Sequence, residues 1–329
     1  MTDQPLLEVE NLRIDLLTDG QRLSAVEEVS FTIMRGETFG LVGESGCGKS
    51  ITALALIGLL RAPLVIGGGR IRLEGKEIQS LSGPEMRKLR GNRISMIFQE
   101  PMTALNPLSP VGRQIAEMFV LHKAMGWKEA ERHAVQALDN VRVPAPERRM
   151  KDYPHQLSGG MRQRVMIAIA LACGPGLLLA DEPTTALDVT VQAEILDLIR
   201  DLSKEQGTSV LMISHDLGLI ANMCRRVGVM YAGRLVEQRN ADEIFESPSH
   251  PYTKGLVASL PLLGSRAKHG RQRLREISGV VPPVSSFPGG CRFHPRCYAA
   301  TDMCQTTAPA ETVLVRGGLV RCHHLESSI

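Results

Sequence analysis

The sequence lacks a hydrophobic run long enough to cross a membrane. Its longest apolar stretch, residues 165–180, is interrupted by Gly174, Pro175 and Gly176, which would break a membrane-spanning helix. The first residues are polar and acidic, whereas a secretory signal peptide begins with positive charge followed by an apolar segment. We therefore expect the protein to stay in the cytoplasm and to act at a membrane only through partner proteins.

A strong charge excess and the cysteine pattern of a secreted protein are also missing. The chain has 38 Lys and Arg against 35 Asp and Glu, and a net charge of +3 is too small to indicate nucleic-acid binding. Seven cysteines in 329 residues, four of them near the C-terminal end, do not resemble a disulfide framework. The composition is that of a folded cytoplasmic protein with room for one large or two ordinary domains.

A glycine-rich loop between a predicted strand and a predicted helix is the strongest signal present. The pattern G-x-x-x-x-G-K-S is that of a P-loop, whose backbone N–H groups and helix start surround a phosphate chain. Lys49 would reach the β- and γ-phosphates, and the Ser50 hydroxyl would hold Mg²⁺. The predicted nucleotide-binding residues of this segment are Gly43, Glu44, Ser45, Gly46, Cys47, Gly48, Lys49, Ser50 and Ile51.

Predicted strands and helices alternate along the chain, which indicates an α/β fold with a mostly parallel sheet. Two strands at the start, 6–17 and 25–33, would form a hairpin. Beyond the P-loop helix, the glycines 67–69 would interrupt regular structure before a strand at 70–78. The segment 109–172 is mainly helical and would be an insertion between strands of the sheet.

Two acidic residues follow the apolar strand 177–180, where a phosphoryl-transfer site needs them. Asp181 would complete the Mg²⁺ shell with Ser50, and Glu182 would polarise the water that attacks the γ-phosphate. Gln99 follows another predicted strand, so its side chain is expected at the same sheet edge. It is a third predicted Mg²⁺ ligand.

The segment Ser158, Gly159 and Gly160 precedes a helix and offers a second anion-binding helix start. One chain does not need two such sites for one nucleotide, so this one would serve a nucleotide held by another subunit. With the leucine before it, the segment resembles the Leu-Ser-Gly-Gly signature of ATP-binding subunits of ABC transporters. The resemblance implies a P-loop NTPase core with an antiparallel β subdomain, a helical signature subdomain and a small cysteine-containing extension.

Further positions match that family in order and take their roles from the resemblance. Gln99 corresponds to the glutamine loop, Asp188 to the aspartate loop 186–188 and His215 to the switch histidine. The resemblance implies that Glu182, His215, Lys49 and Gln99 act in ATP hydrolysis. It also implies that two subunits pack head to tail, with each ATP between one P-loop and the partner's signature.

One expected feature is missing, because the family usually stacks adenine on an aromatic residue near the first hairpin. No aromatic residue occurs in segment 19–28, where Leu23 or Val26 could offer an apolar face instead. Cys47 stands in the P-loop where only the backbone is needed. We interpret it as a small tolerated side chain in preference to a redox switch.

The nucleotide-binding pattern covers residues 1–247, and 248–329 form a C-terminal extension. The extension, together with the segment 95–107, resembles the peptide and nickel importer branch of the family, in particular the D-type ATPase subunit of dipeptide and oligopeptide importers. This implies a position at the cytoplasmic face of a bacterial inner membrane, two transmembrane permease subunits, a second and related ATPase chain, and indirectly an extracytoplasmic substrate-binding protein.

Pro101, Met102 and Leu105 are candidate contacts for the permease subunits. Peptides, glutathione-like peptides, opines and nickel chelates all remain open as substrates.

Four cysteines of the extension are candidate metal ligands. Cys291, Cys297, Cys304 and Cys322 have the spacing C-x5-C-x6-C-x17-C. Structural zinc usually takes closer cysteine pairs, whereas the family resemblance points to a [4Fe-4S] cluster. Both metals, and cysteines without a metal, remain open.

Two other classes of P-loop protein fit the sequence less well. A soluble ABC ATPase acting on DNA or ribosomes would need a long coiled-coil insertion or two cassettes, and the sequence shows neither. A kinase or GTPase has no use for the signature segment, and no guanine-reading Asn-Lys-x-Asp motif is present.

Overall fold

The computed structural model describes residues 4–18, 20–185, 187–260, 277–315 and 317–325. Several predicted features fall partly outside this range: the first turn at Asp19, the aspartate loop at Ala186, and the C-terminal extension at residues 261–276, 316 and 326–329. Within the described residues, none of the helices has the length and apolar character that crossing a membrane requires.

The strands form two sheets. In chain order they are β1 (Leu7–Thr18), β2 (Gln21–Ile33), β3 (Thr38–Val42), β4 (Leu64–Leu73), β5 (Lys76–Glu77), β6 (Ile94–Ile97), β7 (Leu177–Asp181), β8 (Ser209–Ser214), β9 (Arg226–Tyr231), β10 (Arg234–Asn240), β11 (Thr312–Val313) and β12 (Leu319–Val320).

The helices lie between these strands, with a group of them between β6 and β7. They are α1 (Lys49–Leu56), α2 (Gly83–Leu89), α3 (Pro101–Ala104), α4 (Val111–Lys123), α5 (Trp127–Asn140), α6 (Pro146–Arg149), α7 (Gly159–Leu171), α8 (Val189–Gln206), α9 (Leu217–Met223), α10 (Ala241–Glu246), α11 (Pro251–Ala258) and α12 (Asp302–Thr306).

The larger sheet has the strand order β11-β12-β10-β9-β3-β8-β7-β6. Its central strands β9, β3, β8, β7 and β6 pair in parallel, as the alternation of strands and helices predicts. In β7, Leu177 and Leu179 join one apolar cluster, while Leu178 and Ala180 join the cluster on the opposite face. This strand is therefore buried on both faces, so its uninterrupted apolar sequence fits its position.

The smaller sheet is antiparallel, with the order β2-β1-β4-β5. The predicted first hairpin is confirmed, because β1 pairs with β2 from Leu7↔Ile33 to Thr18↔Gln21. The prediction that glycines 67–69 precede the next strand is wrong, since β4 begins at Leu64 and runs through them. At Gly67 an added Cβ would lie 2.0 Å from an Oδ of Asp15, so the glycine lets β4 approach the β1 side chain closely.

The predicted helical insertion forms α4, α5, α6 and α7. Ala130, Ala134 and Leu138 recur at helical spacing along α5 and are fully buried against the larger apolar cluster. The insertion brings the signature segment to the start of α7. Its predicted limits, 109–172, enclose all four helices.

The C-terminal tail adds strands to the larger sheet. Strand β12 pairs antiparallel with β10 at Glu237↔Val320 and Gln238↔Leu319, and β11 pairs with β12. The sequence did not indicate these strands, because two-residue strands are too short to show an alternating pattern. The described part of the tail therefore packs on the cassette, while the domain boundary at residue 248 stays a prediction.

Candidate functional site

The P-loop connects β3 to α1, as predicted. Gly43 has no room for a side chain, because an added Cβ would lie 2.1 Å from the carbonyl oxygen of Met230. Gly48 caps α1 with a φ of 108°, in a region that side chains disfavour. These two glycines let the loop turn tightly at the start of α1, and the start of a helix is where backbone N–H groups can bind an anion.

Lys49 is buried and lies across the P-loop. Its Nζ donates hydrogen bonds to the carbonyl oxygens of Gly43 at 2.7 Å and Glu44 at 3.0 Å. The same nitrogen lies 3.6 Å from the Sγ of Cys47, whose thiol has a raised pKa because it is buried. The ammonium is thus held at the loop, and Cys47 is a neutral thiol packed beneath it.

Ser50 and Asp181 meet, as a shared Mg²⁺ site requires. The Ser50 hydroxyl donates to Oδ1 of Asp181 at 3.0 Å. Burial raises the pKa of the Asp181 carboxyl, while the hydrogen bond from Ser50 opposes this change. A buried carboxylate and a hydroxyl at this distance are suitable oxygen ligands for a hard cation, which would also offset the cost of burying the charge.

Glu182 is surrounded by three polar side chains. Its Oε2 accepts hydrogen bonds from Nε2 of Gln99 and from the hydroxyl of Thr185, each at 3.0 Å. Its Oε1 lies 3.0 Å from Nδ1 of His215, whose side chain is 62% exposed. The backbone of Glu182 has a φ of 46°, a left-handed conformation that non-glycine residues rarely adopt.

Many of the predicted residues line one open cleft of about 830 Å³, whereas Gly43, Cys47 and Asp181 do not line it. This volume is within the range of small-molecule sites. From the P-loop and α1 the cleft takes Glu44, Ser45, Gly46, Gly48, Lys49, Ser50 and Ile51. From other elements it takes Gln99, Glu182, Thr185, His215, Leu256, Gly279, Val280 and Val281.

The signature segment lies apart from this cleft. Ser158 caps α7 by accepting a hydrogen bond from the N–H of Met161 at 3.3 Å, and the three predicted signature residues do not line the cleft. Asp188 likewise caps α8, where Oδ1 accepts from the N–H of Val191 at 3.0 Å. Gly160 packs against Val191, with an added Cβ at 3.0 Å. The structure thus brings together the P-loop, Gln99, Asp181, Glu182 and His215, but not the signature.

The two apolar residues proposed to contact the nucleotide base differ in burial. Val26 is fully buried, and its Cγ2 would lie 3.1 Å from a Cβ added at Gly48. Leu23 is half-buried on the same strand. Val26 therefore packs beneath the P-loop.

Several residues of the site were not found from the sequence. Thr185 follows the acidic pair closely and could have been noticed as a hydroxyl within reach of Glu182. Tyr252 accepts a hydrogen bond from the N–H of Glu44 at 2.9 Å, and Arg296 forms an ion pair with the Glu44 carboxylate. Their separation from Glu44 is 208 and 252 residues, so no local pattern indicates these contacts.

The four tail cysteines gather in one region but do not form a metal site as they are arranged. Burial raises the pKa of Cys291 to about 11, and thiolate forms of the nearby Cys297, Cys304 and Cys322 would raise that pKa further. Cys304 Sγ lies 3.5 Å from Nε2 of His324. Among the residues that the structure describes, no group of three or more His, Cys, Asp or Glu side chains is placed to hold a metal ion.

Two family models match the chain. One, described as ABC transporter, matches residues 26–185, and the other, described as oligopeptide/dipeptide transporter, C-terminal region, matches residues 236–304. The oligopeptide transport ATP-binding protein AppD of Bacillus subtilis is 49% identical over 321 residues, which cover 96% of each chain. The oligopeptide transport ATP-binding protein OppD of Salmonella typhimurium is 50% identical over 306 residues, covering 93% of this chain and 90% of that one.

Solved structures of other ATP-binding cassettes have the same fold. A dimeric ATP-binding cassette, MJ0796, bound to ADP and Pi, matches with a TM-score of 0.64 and 27% identity over 71% of this chain and 98% of that one. CbiO1 of Clostridium perfringens, part of an ABC transporter complex, matches with a TM-score of 0.63 and 28% identity over 74% of this chain and 92% of that one. These likenesses confirm the predicted P-loop ABC ATPase fold. The chain belongs to the ABC transporter family of ATPases, in the branch of oligopeptide and dipeptide transport ATP-binding proteins.

Proposed function

We propose that this ATPase powers the uptake of di- and oligopeptides from the cytoplasmic face of a bacterial inner membrane. The observation that carries the proposal is the side-chain network around Glu182, which joins Gln99, Thr185 and His215 beside the P-loop. The match of residues 236–304 to the oligopeptide and dipeptide family, and the names of the relatives, support peptides as the substrate class.

Each polar residue of the cleft has a role in this proposal. Lys49 and the P-loop N–H groups bind the phosphate chain of ATP. Ser50 and Asp181 would hold Mg²⁺, which would neutralise phosphate charge, and Gln99 reaches this region from the end of β6. Glu182 accepts a proton from the attacking water, while His215 orients the carboxylate through the 3.0 Å contact at Oε1.

A second ATPase chain completes the nucleotide site. Ser158, Gly159 and Gly160 do not line the cleft of their own chain, and Ser158 and Gly159 are exposed at the start of α7. An exposed helix start suits the phosphates of an ATP held by a partner chain, because the first N–H groups of a helix can bind an anion. Asp188 lies at the adjacent start of α8 and would face the same partner. A related but non-identical chain fits the family resemblance best.

The permease contact includes part of the segment after Gln99. Met102 is 51% exposed and suits a joint that moves, since methionine adapts its shape readily. Leu105 is only 3% exposed, so the prediction that it contacts the permease is wrong: it packs in the apolar core. Leu108, which is exposed, extends the contact surface in its place.

The four tail cysteines take no part in the proposed ATPase mechanism. Four thiols supply suitable donor atoms for a [4Fe-4S] cluster or for zinc, but the described side chains are not arranged as a ligand set. No catalytic step depends on this group.

Reconstitution of transport tests the proposed function. The chain would be purified with its second ATPase, its two permease subunits and its extracytoplasmic binding protein, and the complex placed in lipid vesicles. ATP-dependent uptake of labelled di- to pentapeptides is expected, and a complex carrying Glu182→Gln serves as the matched control. Uptake of a nickel chelate or an opine without peptide uptake would overturn the substrate assignment while leaving the ATPase role intact.

A further inference from the structure

Arg296 of the C-terminal tail reaches the P-loop. Its Nη1 and Nη2 donate hydrogen bonds to the two carboxylate oxygens of Glu44, at 2.6 and 2.9 Å. The side chain of Arg296 is 5% exposed and that of Glu44 is 30% exposed. A two-pronged pair between a guanidinium and a carboxylate is strong and fixes the orientation of both groups.

The same guanidinium also holds a neighbouring stretch of the tail. Its Nε donates to the carbonyl oxygen of Ser278 at 2.8 Å, and Nη2 contacts the carbonyl oxygens of Ile277 at 3.3 Å and Gly279 at 3.2 Å. Gly279 lines the nucleotide cleft together with Glu44. One side chain thus joins the P-loop to a wall of the cleft.

Glu44 places a negative charge within the P-loop. An unpaired carboxylate at this point would repel the phosphate chain, because two charges a few ångströms apart near a protein surface interact by kilocalories per mole. Arg296 neutralises that charge and holds the carboxylate by both oxygens. The N–H of Glu44 is held at the same time by the hydroxyl of Tyr252, at 2.9 Å.

We propose that Arg296 is a positioning residue for ATP binding, which neutralises Glu44 and holds the P-loop against the tail segment 277–281. The proposal rests on the cleft being the ATP site, as proposed above. It assigns the tail a direct part in nucleotide binding. The affinity of the cassette for ATP would therefore depend on the tail, as well as its folding stability.

The dissociation constant of ATP for the full-length chain tests this proposal, with a fluorescent ATP analogue as the probe and Mg²⁺ present. We expect Arg296→Ala to weaken binding by about three- to tenfold, because it exposes the Glu44 charge to the phosphates. Adding Glu44→Gln to that variant should restore the affinity to within about twofold of the wild type, since the net charge is then the same. High salt should reduce the defect of the single variant.

A purely structural role for Arg296 predicts different ATP affinities for these variants. Loss of packing alone would leave the double variant as weak as Arg296→Ala or weaker, and that result would overturn the proposal. Glu44→Gln alone leaves the Arg296 guanidinium unpaired beside the phosphates and should bind ATP more tightly than the wild type. Equal or weaker binding by that variant would also count against the proposal, even if Arg296→Ala does not fold.

Two further variants distinguish an error in the proposed ATP site from an error in the role of Arg296. Arg321→Ala removes another tail arginine, which pairs with Glu28 at 3.0 Å away from the cleft, and should leave the affinity for ATP unchanged. Lys49→Ala should abolish binding. If Lys49→Ala binds normally, the proposed ATP site is wrong; if it does not bind but Arg296→Ala equals the wild type, only the role of Arg296 is wrong.

Discussion

Nδ1 of His215 lies 3.0 Å from Oε1 of Glu182. The two side chains reach each other from the ends of neighbouring parallel strands, β8 and β7, which the sequence predicted to end at one edge of the sheet. Gln99 and Thr185 occupy the other carboxylate oxygen of Glu182. The carboxylate is therefore fixed on both sides, as a group that must orient a water molecule needs to be.

Glu182→Gln should separate ATP binding from ATP hydrolysis. The amide keeps the size and hydrogen bonding of the side chain but cannot take a proton from water. We expect phosphate release to fall by about 10²- to 10⁴-fold, with the dissociation constant of ATP within about threefold of the wild type. Unchanged phosphate release would remove Glu182 as the general base.

Asp181→Asn should raise the Mg²⁺ concentration needed for ATP binding and hydrolysis. Asparagine keeps an oxygen near Ser50 but lacks the charge that a divalent cation requires. A Mg²⁺ titration of ATPase activity should show half-saturation at about tenfold higher Mg²⁺ or more. Asp201→Asn, which removes an exposed carboxylate that pairs with Arg142 and does not line the cleft, is the control. Equal shifts in both variants would argue against a specific metal role for Asp181.

Tyr252→Phe should destabilise the folded protein, because it removes a hydrogen bond to the P-loop. Tyr252 is fully buried, and its hydroxyl accepts the N–H of Glu44, which would lose that partner in the variant. We expect the free energy of unfolding in urea to fall by about 1–3 kcal/mol. Tyr298→Phe is the matched control, since Tyr298 is 77% exposed and should change stability by less than about 0.5 kcal/mol. Equal stability of the two variants would show that the Tyr252 contact does not contribute.

His250 should make the protein less stable in mild acid. Burial lowers the pKa of this imidazole from 6.5 to about 3, because the charged form is poorly solvated there. Below pH 6.5 the unfolded chain binds a proton that the folded chain does not, so stability is full above this pH and is lost as the pH falls toward 3. The contribution amounts to about 1.4 kcal/mol per pH unit.

His250→Asn isolates that contribution. Nδ1 of His250 accepts the N–H of Tyr252 at 3.0 Å at the start of α11, and asparagine can provide an oxygen for the same cap. The difference in unfolding free energy between the variant and the wild type should narrow between pH 6.5 and pH 4.5. A constant difference across that range would show that His250 is not the responsible group.

Metal analysis after anaerobic purification decides the role of the four tail cysteines. A [4Fe-4S] cluster would give a broad visible absorbance and about four irons per chain, whereas zinc would leave the protein colourless. Replacing Cys297 with serine should then lower the bound metal, while replacing Cys173, a buried core cysteine, should not. Protein without stoichiometric iron or zinc would rule out the metal prediction.

The sequence predicted the parts of the site that depend on local pattern. The P-loop, the acidic pair and the residues at strand ends are short motifs beside apolar strands, and strand order then brings them to one edge. The contacts of Glu44 with Tyr252 and Arg296 were not predicted, because they depend on how a tail over 200 residues away packs on the P-loop. The course of β4 through its glycines was also missed, since a close approach to Asp15 is visible only in three dimensions.

The short strands of the tail also protect the protein from association. Without β12, the backbone N–H and C=O groups of β10 would form an unpaired sheet edge, which is a template for strands of other molecules. A cassette cut at residue 248 would expose that edge and lose the Arg296 contact with the P-loop at once. Such a fragment should therefore aggregate as its concentration rises.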